Sequence, residues 1–447
     1  MGAAVLLLSC AVSDVSAVPS FARQTGRDCN TCHTIYPELT PFGRNFKLTG
    51  YTMSKNSEKP YEWPPPISGS MLWSFTHQPK ALPRGTFDPN LQRHNDNVNL
   101  PQEVSLFYAG RILPYFGGFI QGAYDGIENK LLLDHTDIRP AIKTSLGNRD
   151  LVLGITINNA PTMQDVLNTG PLWGFPWAAS EVALTPAAAT VLENRLEFQV
   201  GGTGLYAYWN NLLYAEVTLY RTSRTGFHQL LGAGSVTETR VDNLAPYWRV
   251  FLQHQWKRHS FAVGTIGMIT RIFPEKDTEV PNLQRTSGPS DKFTDIAVDA
   301  QYQYLGKKHL FTAQTIWIHE DQNFQASFPL GNTANRHNFL DTYRLNLNYY
   351  YRTDNWGNLG GTWAFFTTWG SKDEELYGRE PGGGSRSGKP NSNGFILEGT
   401  YQPWNYTKLT VQYTIYNKFN GAQSNYDGFK RSAQANNTVF LLLWFTI

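Results

Sequence analysis

Near its C-terminal end the chain reads "LTVQYTIYNKF", with Leu409, Val411, Tyr413 and Ile415 on one side and Lys408, Thr410, Gln412 and Thr414 on the other. A period of two marks a strand with one apolar and one polar face. In "NGFILEGTYQ", Leu397 and Tyr401 oppose Glu398 and Gln402. In "RLEFQVGG", Leu196, Phe198 and Val200 oppose Arg195, Glu197 and Gln199. The pattern predicts sixteen strands, near 67–78, 102–112, 115–125, 133–144, 150–159, 193–208, 211–222, 245–257, 259–271, 292–305, 308–320, 338–352, 355–370, 393–404, 407–418 and 434–447.

The connections separate a barrel from a sandwich. Tight links at 113–114, 147–149, 210–211, 257–259 and 306–308 alternate with long polar ones such as 79–101, 160–192, 223–244 and 371–392. An outer-membrane barrel has this rhythm, short turns in the periplasm and longer loops outside, whereas a Greek-key sandwich does not. The apolar faces then meet lipid and the polar ones line a wet lumen, where Glu103, Arg111, Arg195, Glu197, Glu216, Arg249, Asp299 and Glu398 give mixed charge. In "GSMLWSFTH" the lipid-facing set is Gly69, Met71, Trp73, Phe75 and His77. The last strand carries Val439, Leu441, Leu443, Phe445 and Ile447 outward, closing the barrel without a free edge.

Composition agrees. Hydrophobic residues make up 41% of the 447, charged residues only 17%, and Gly is abundant at 39. The longest apolar run, "AAVLLLSCAV" at 3–12, is shorter than the roughly 20 residues of a membrane helix, which leaves the strand route across a bilayer. A net charge of +2 without a basic stripe gives no nucleic-acid surface. The run at 3–12 and the residues Val15, Ser16 and Ala17 read as a signal peptide, 1–17, cleaved after Ala17; a lipoprotein signal ending at Cys10 and a buried helix are the alternatives. With cleavage there, only Cys29 and Cys32 of the three cysteines remain.

Those two belong to "CNTCH". In Cys-x-x-Cys-His the two thiols add to the haem vinyl groups and the histidine, here His33, becomes the proximal iron ligand. A thioredoxin-type pair would not need His33, and a zinc site would need a second ligand pair that the sequence lacks. The expected cofactor is one covalent haem c. Met53 is the candidate sixth ligand, twenty residues after His33, with an open site or a strand residue as the alternative. Arg23 and Arg44 are the nearest cations for the haem propionates, and Phe21, Phe42, Phe46 and Leu48 could pack on the macrocycle. The plug and its Pro-rich linker occupy 18–62, and the barrel 63–447.

The segment "VPSFARQTGRDCNTCHTIYPELTPFGRNFKLTGY", 18–51, resembles the fused outer-membrane cytochrome–porins of iron-oxidising bacteria. The likeness rests on Pro19, Phe21, Ala22, Arg23, Gln24, Thr25 and Gly26 before the motif, and on Pro37, Phe42, Gly43, Arg44, Phe46 and Lys47 after it. The resemblance implies an all-β barrel of the outer membrane with an N-terminal c-type cytochrome plug that takes electrons from extracellular Fe(II). Its single haem is shorter than the membrane, so a periplasmic cytochrome or similar carrier is the expected partner on the inner side. Reductive transfer outward, a solute porin with a structural or sensory haem, and a haem enzyme with an open distal site are the rival functions. Glu238, Asp242, Glu279, Asp291, Glu320, Asp321, Asp373, Glu374 and Glu375 in outside loops would attract Fe(II), but solvated loop acids are commonplace and none is assigned as a metal site.

Overall fold

A computed structural model describes residues 19–34, 37–56, 62–82, 95–127, 129–161, 165–170, 180, 182–222, 239–274, 287–353 and 355–447. The expected signal peptide, 1–17, and Glu238 and Glu279 lie outside them. The N-terminal segment holds three short helices, α1 (Pro19–Thr25), α2 (Cys29–Cys32) and α3 (Pro41–Leu48). Sixteen strands follow: β1 (Ile67–His77), β2 (Asp96–Leu113), β3 (Phe116–Asp125), β4 (Lys130–Leu146), β5 (Arg149–Asn158), β6 (Gly201–Trp209), β7 (Leu213–Arg221) and β8 (Ala245–Trp256). The remainder are β9 (His259–Ile272), β10 (Asp291–Leu305), β11 (His309–Asn323), β12 (His337–Arg352), β13 (Asn358–Gly370), β14 (Ser392–Trp404), β15 (Thr407–Lys418) and β16 (Thr438–Thr446).

Each strand pairs antiparallel with its neighbours in sequence, and β1 pairs with β16, from Ser70↔Thr446 to His77↔Val439, so the sheet is a closed barrel. Closure satisfies every strand edge inside a bilayer, where water cannot. The two faces are inverted relative to a soluble protein. Outward Leu106, Leu205, Val217 and Val411 are 63%, 68%, 59% and 55% exposed, while inward Thr76, Thr218, Gln303 and Thr312 are fully buried. The outward face therefore contacts lipid, and the core is polar.

Two expected strands are revised. The sixth begins at Gly201, not 193, because Val191–Arg195 is a π-helical turn and Phe198 has φ 59°, which a strand cannot hold. Arg195 and Glu197 thus belong to a connection and not to the strand wall. The last strand begins at Thr438, preceded by a 3-10 turn at Ala433–Asn436. In the other direction, β2 extends six residues before the expected start at 102.

Candidate functional site

The N-terminal segment lies inside the barrel at the short-turn end. Helix α3 starts where Thr40 caps it, accepting from the Gly43 N–H at 3.2 Å, with Pro41 supplying the pre-set first turn. Gly43 is required there. A Cβ would stand 2.3 Å from the Cys32 carbonyl, so only glycine lets α3 cross α2 this closely. Phe21, Phe46 and Tyr51 form a small aromatic core, with ring centroids 5.0 to 5.7 Å apart. Phe46 and Leu48 are buried in contact with the segment and the wall, whereas Phe42 stays half-exposed. Of the four apolar residues expected to face a macrocycle, Phe21 and Phe46 are instead engaged with Tyr51.

Polar side chains fix this segment to the wall on several sides. On β8, β9 and β10, the buried Arg44 donates to Gln253 (2.7 Å), Ser260 (3.2 Å), Gln301 (2.7 Å) and Gln303 (3.1 Å), and to the Leu39 carbonyl (2.7 Å). Burial lowers its guanidinium to about 10, still charged at neutral pH. The expectation that Arg44 serves the propionates is corrected: its donors are spent on the wall. On β4, Tyr51 donates to Asp137 at 2.7 Å, Lys47 lies 3.6 Å from the same carboxylate, and Arg139 braces it at 2.8 Å. Burial lowers the Lys47 ammonium to about 8, Asp137 opposing. On β12, Asn348 donates to Glu38 at 2.5 Å.

The motif itself rests against the lower rim. Cys29 is buried, its Sγ 4.0 Å from the Asn405 carbonyl in the β14–β15 turn, and Arg352 at the foot of β12 donates to the carbonyls of Asn30 (3.3 Å) and His33 (3.5 Å). Cys29 and Cys32 are not joined in a disulfide. Burial raises the Cys32 thiol to about 11, with Cys29 adding to the shift. Burial also lowers the His33 imidazole to about 4, opposed by its hydrogen bonds to backbone at Pro37 and Glu38. His33 is consequently neutral at physiological pH, the form that ligates iron. Two thiols on one helical turn followed by a neutral, oriented imidazole are a donor set that fits haem c.

The other expected site residues have contacts of their own. Gln24 donates to the carbonyls of Tyr51 (2.6 Å) and Met53 (2.8 Å) and accepts from the Arg111 N–H (2.8 Å), which holds Met53 on the β2 side. The motif is held by Arg352 of β12 and the β14–β15 turn. Arg23 donates to the Ile67 carbonyl at the foot of β1, at 2.5 Å. Several acids expected to attract Fe(II) serve the fold instead. Asp373 accepts from the N–H groups of Ala334 and Leu376, Asp291 from those of Ala326 and Ser327, and Glu320 from that of Val191.

Sequence reasoning missed the connection between β5 and β6, which folds into the lumen. Its 165–170 turn is organised by Asp165, which accepts from the N–H groups of Leu167, Thr169 and Gly170. Arg249 of β8 donates to Asp165 at 3.0 Å and to Asp299 of β10 at 2.6 Å. Gln301 joins loop and plug, donating to the Leu167 carbonyl while accepting from Arg44. Farther along, Ala187 donates to Asn420, Leu192 to Asp295, and Glu193 accepts from Arg344. The connection thus touches β8, β10 and β12 and the loop after β15, above the plug.

A closed antiparallel barrel with a lipid-facing apolar belt settles where the chain resides. It is a bacterial outer-membrane protein. No protein-family model matches the chain, and no curated relative does. Solved structures similar to it include OmpT of Vibrio cholerae (7% identity, TM-score 0.44, covering 85% of this chain and 96% of that one). The anion-selective porin of Comamonas acidovorans has 8% identity and a TM-score of 0.43, covering 85% and 98%. The channel DcaP of Acinetobacter baumannii has 11% identity and a TM-score of 0.43, covering 85% and 96%. These similarities concern the barrel. They include nothing that bears on the motif at Cys29–His33.

Proposed function

We propose that this porin-like barrel is an electron-transfer protein, carrying one haem c on Cys29 and Cys32 with His33 as proximal ligand. Electrons come from an extracellular donor, Fe(II) being the one the resemblance implies, and leave to a periplasmic carrier. The observation that carries the reading is the position of the donor set inside the short-turn end of the barrel. Sixteen strands bring both ends of the barrel to the short-turn side, and short turns of outer-membrane barrels face the periplasm, the compartment in which haem c is attached.

Haem c supplies one-electron exchange between Fe(III) and Fe(II), so neither acid, base nor nucleophile is demanded of the chain. What the chain supplies is position. Arg44 holds the plug to β8–β10 and Lys47 and Tyr51 hold it to Asp137 on β4, and Gly43 sets the crossing of α2 and α3. The barrel removes lipid from a path that otherwise crosses an apolar band of about 25 Å. Met53 as sixth ligand and Arg23 as propionate partner are part of this proposal. Stopped-flow mixing of the oxidised protein with Fe(II) tests it: the haem absorption converts to the reduced form, and an unchanged spectrum contradicts the reading.

A second reading is a solute porin in which haem is structural or sensory. The inward β5–β6 connection favours it, since a loop held across the lumen narrows a channel without needing any redox role. Planar-bilayer conductance of the purified protein separates the two. Steady open-channel current supports the porin, and its absence supports a plugged barrel.

A further inference from the structure

The short turns carry their charge unevenly. The β8–β9 turn presents Lys257 and Arg258, and the β10–β11 turn presents Lys307 and Lys308, all four exposed. Backbone contacts join these turns to the motif. The Leu305 N–H donates to the Arg258 carbonyl at 2.7 Å, and the Arg352 N–H donates to the Lys308 carbonyl at 2.8 Å. The Arg352 side chain in turn holds the carbonyls of Asn30 and His33. On the other side of the motif in sequence, Arg27 is exposed, two residues before Cys29. We infer that this basic strip is the docking surface for a periplasmic electron carrier with an acidic face. The inference rests on the electron-transfer reading above and names the chemistry of its partner.

The charge of the strip is not cancelled within the chain. Arg27, Lys257, Arg258 and Lys307 form no ion pair among the described residues, and Asp28 is the exposed acid beside the motif there. The whole chain carries a net charge of only +2, so the excess at this end is local. A surface of one sign raises the local concentration of a partner of the other. Inner-leaflet headgroups can reach turn tips beside the bilayer. Arg27 belongs to the plug, within the ring of strands, so a role toward lipid alone leaves it unexplained.

The chemistry of the partner follows. Encounters between redox proteins are small and transient, so a carrier gains more from being steered and oriented than from being held tightly. A basic strip beside the motif does both for a carrier whose redox centre is ringed by Asp and Glu. It also turns away a carrier of basic surface by like-charge repulsion. One electron passes from the reduced plug to the oxidised carrier, with no bond made or broken and no further reactant. Exposed charges are screened beyond about 10 Å at 0.1 M salt, so the association weakens steeply with ionic strength.

The test uses the full chain in nanodiscs of zwitterionic lipid, with an acidic plastocyanin and a basic cytochrome c as probes. Retention of each probe on immobilised nanodiscs is read at low and at physiological salt. The expected result is retention of the acidic probe, weakened about tenfold at the higher salt, and none of the basic one. Arg258→Glu with Lys307→Glu should weaken retention about tenfold at low salt, and should slow reoxidation of the reduced haem by Cu(II) plastocyanin to match. Lys143→Glu with Arg149→Glu makes the same charge change at the β4–β5 turn and should leave both readouts within about twofold. No retention of the acidic probe, equal retention of both probes, or equal loss in the two double variants overturns the inference. So does a strip variant that keeps the probe but inserts poorly into phosphatidylglycerol vesicles, because the cations then serve lipid. Covalent haem, counted in the denatured chain, separates the failures. Haem without retention removes this inference alone, and a chain without haem removes the electron-transfer reading and this inference with it.

Discussion

Arg249 on β8 reaches Asp165 of the inward loop at 3.0 Å, and both side chains are buried within the barrel. The same guanidinium holds Asp299 on β10, so one cation fastens a loop from the outer side to the wall next to the plug. Arg249→Met should leave two buried carboxylates without their partner, at a cost of about 3–5 kcal/mol. The loop then leaves the wall while the barrel, held by strand pairing, persists. Proteolysis within the β5–β6 connection should accelerate in folded protein, and ion conductance should rise. A variant that matches wild type in both measurements would show that Arg249 does not fasten the loop.

Arg44 is the corresponding fastener of the plug. Replacement by Ala strands the amide oxygens of Gln253, Gln301 and Gln303, with an expected loss of about 2–4 kcal/mol from plug docking. Limited trypsin digestion should then cut within 19–56 while the barrel still resists heat on a gel. Arg44→Lys keeps the charge but cannot span β8, β9 and β10 with one planar group, and should recover only part of the loss.

The plug also contains a buried acid. Burial raises the Glu38 carboxyl to about 7, with Thr34, Lys408 and Thr312 opposing and Glu398 adding to the rise. A carboxyl whose folded value lies above its unfolded value binds more protons in the folded state between the two. Docking is therefore strongest below about pH 4.5, weakens as pH rises toward 7, and levels off above it. Glu38→Gln removes this dependence. Trypsin susceptibility of the plug should rise from pH 5 to pH 8 in the wild type and stay flat over that window in the variant. A wild-type profile with no slope in that window would contradict the assignment.

The two thiols constrain the order of assembly. Cys29 is only 5% exposed, and burial keeps Cys32 in its unreactive thiol form. On the proposed haem reading, attachment precedes insertion of the plug into the barrel, because the docked plug buries its thiols. Apo protein folded without haem should label slowly with iodoacetamide at pH 8 and rapidly once denatured. Fast labelling of Cys29 in the folded barrel would show that the plug is docked more loosely than this.

Most of the barrel was legible because lipid and lumen impose a period of two on every strand, as in β15, where Leu409 and Val411 face out and Thr410 and Gln412 face in. The same rule misled at 193–200. There Leu196 and Val200 are buried with Tyr220, Val241 and Ala245, so the alternation comes from a loop packing onto the wall and not from a strand within it. The Cys29–His33 pattern could be proposed from sequence because the chemistry it suggests is local, five residues long. The inward loop was not, because Asp165 gains its meaning from Arg249 and Asp299, residues far along the chain. Arg44 was misread for a similar reason: its partners are glutamines on distant strands, and a cation near a haem motif invites the propionate assignment.

The central claim is that electrons cross the outer membrane through the plug of this barrel, and vesicles test it most directly. Holoprotein is reconstituted in liposomes with a membrane-impermeant redox dye sealed inside, and Fe(II) is added outside. The account predicts that the dye is reduced after the haem, and that His33→Ala abolishes its reduction while the barrel still assembles. Dye that stays oxidised although the vesicles carry covalent haem, or that is reduced equally by His33→Ala, would contradict it.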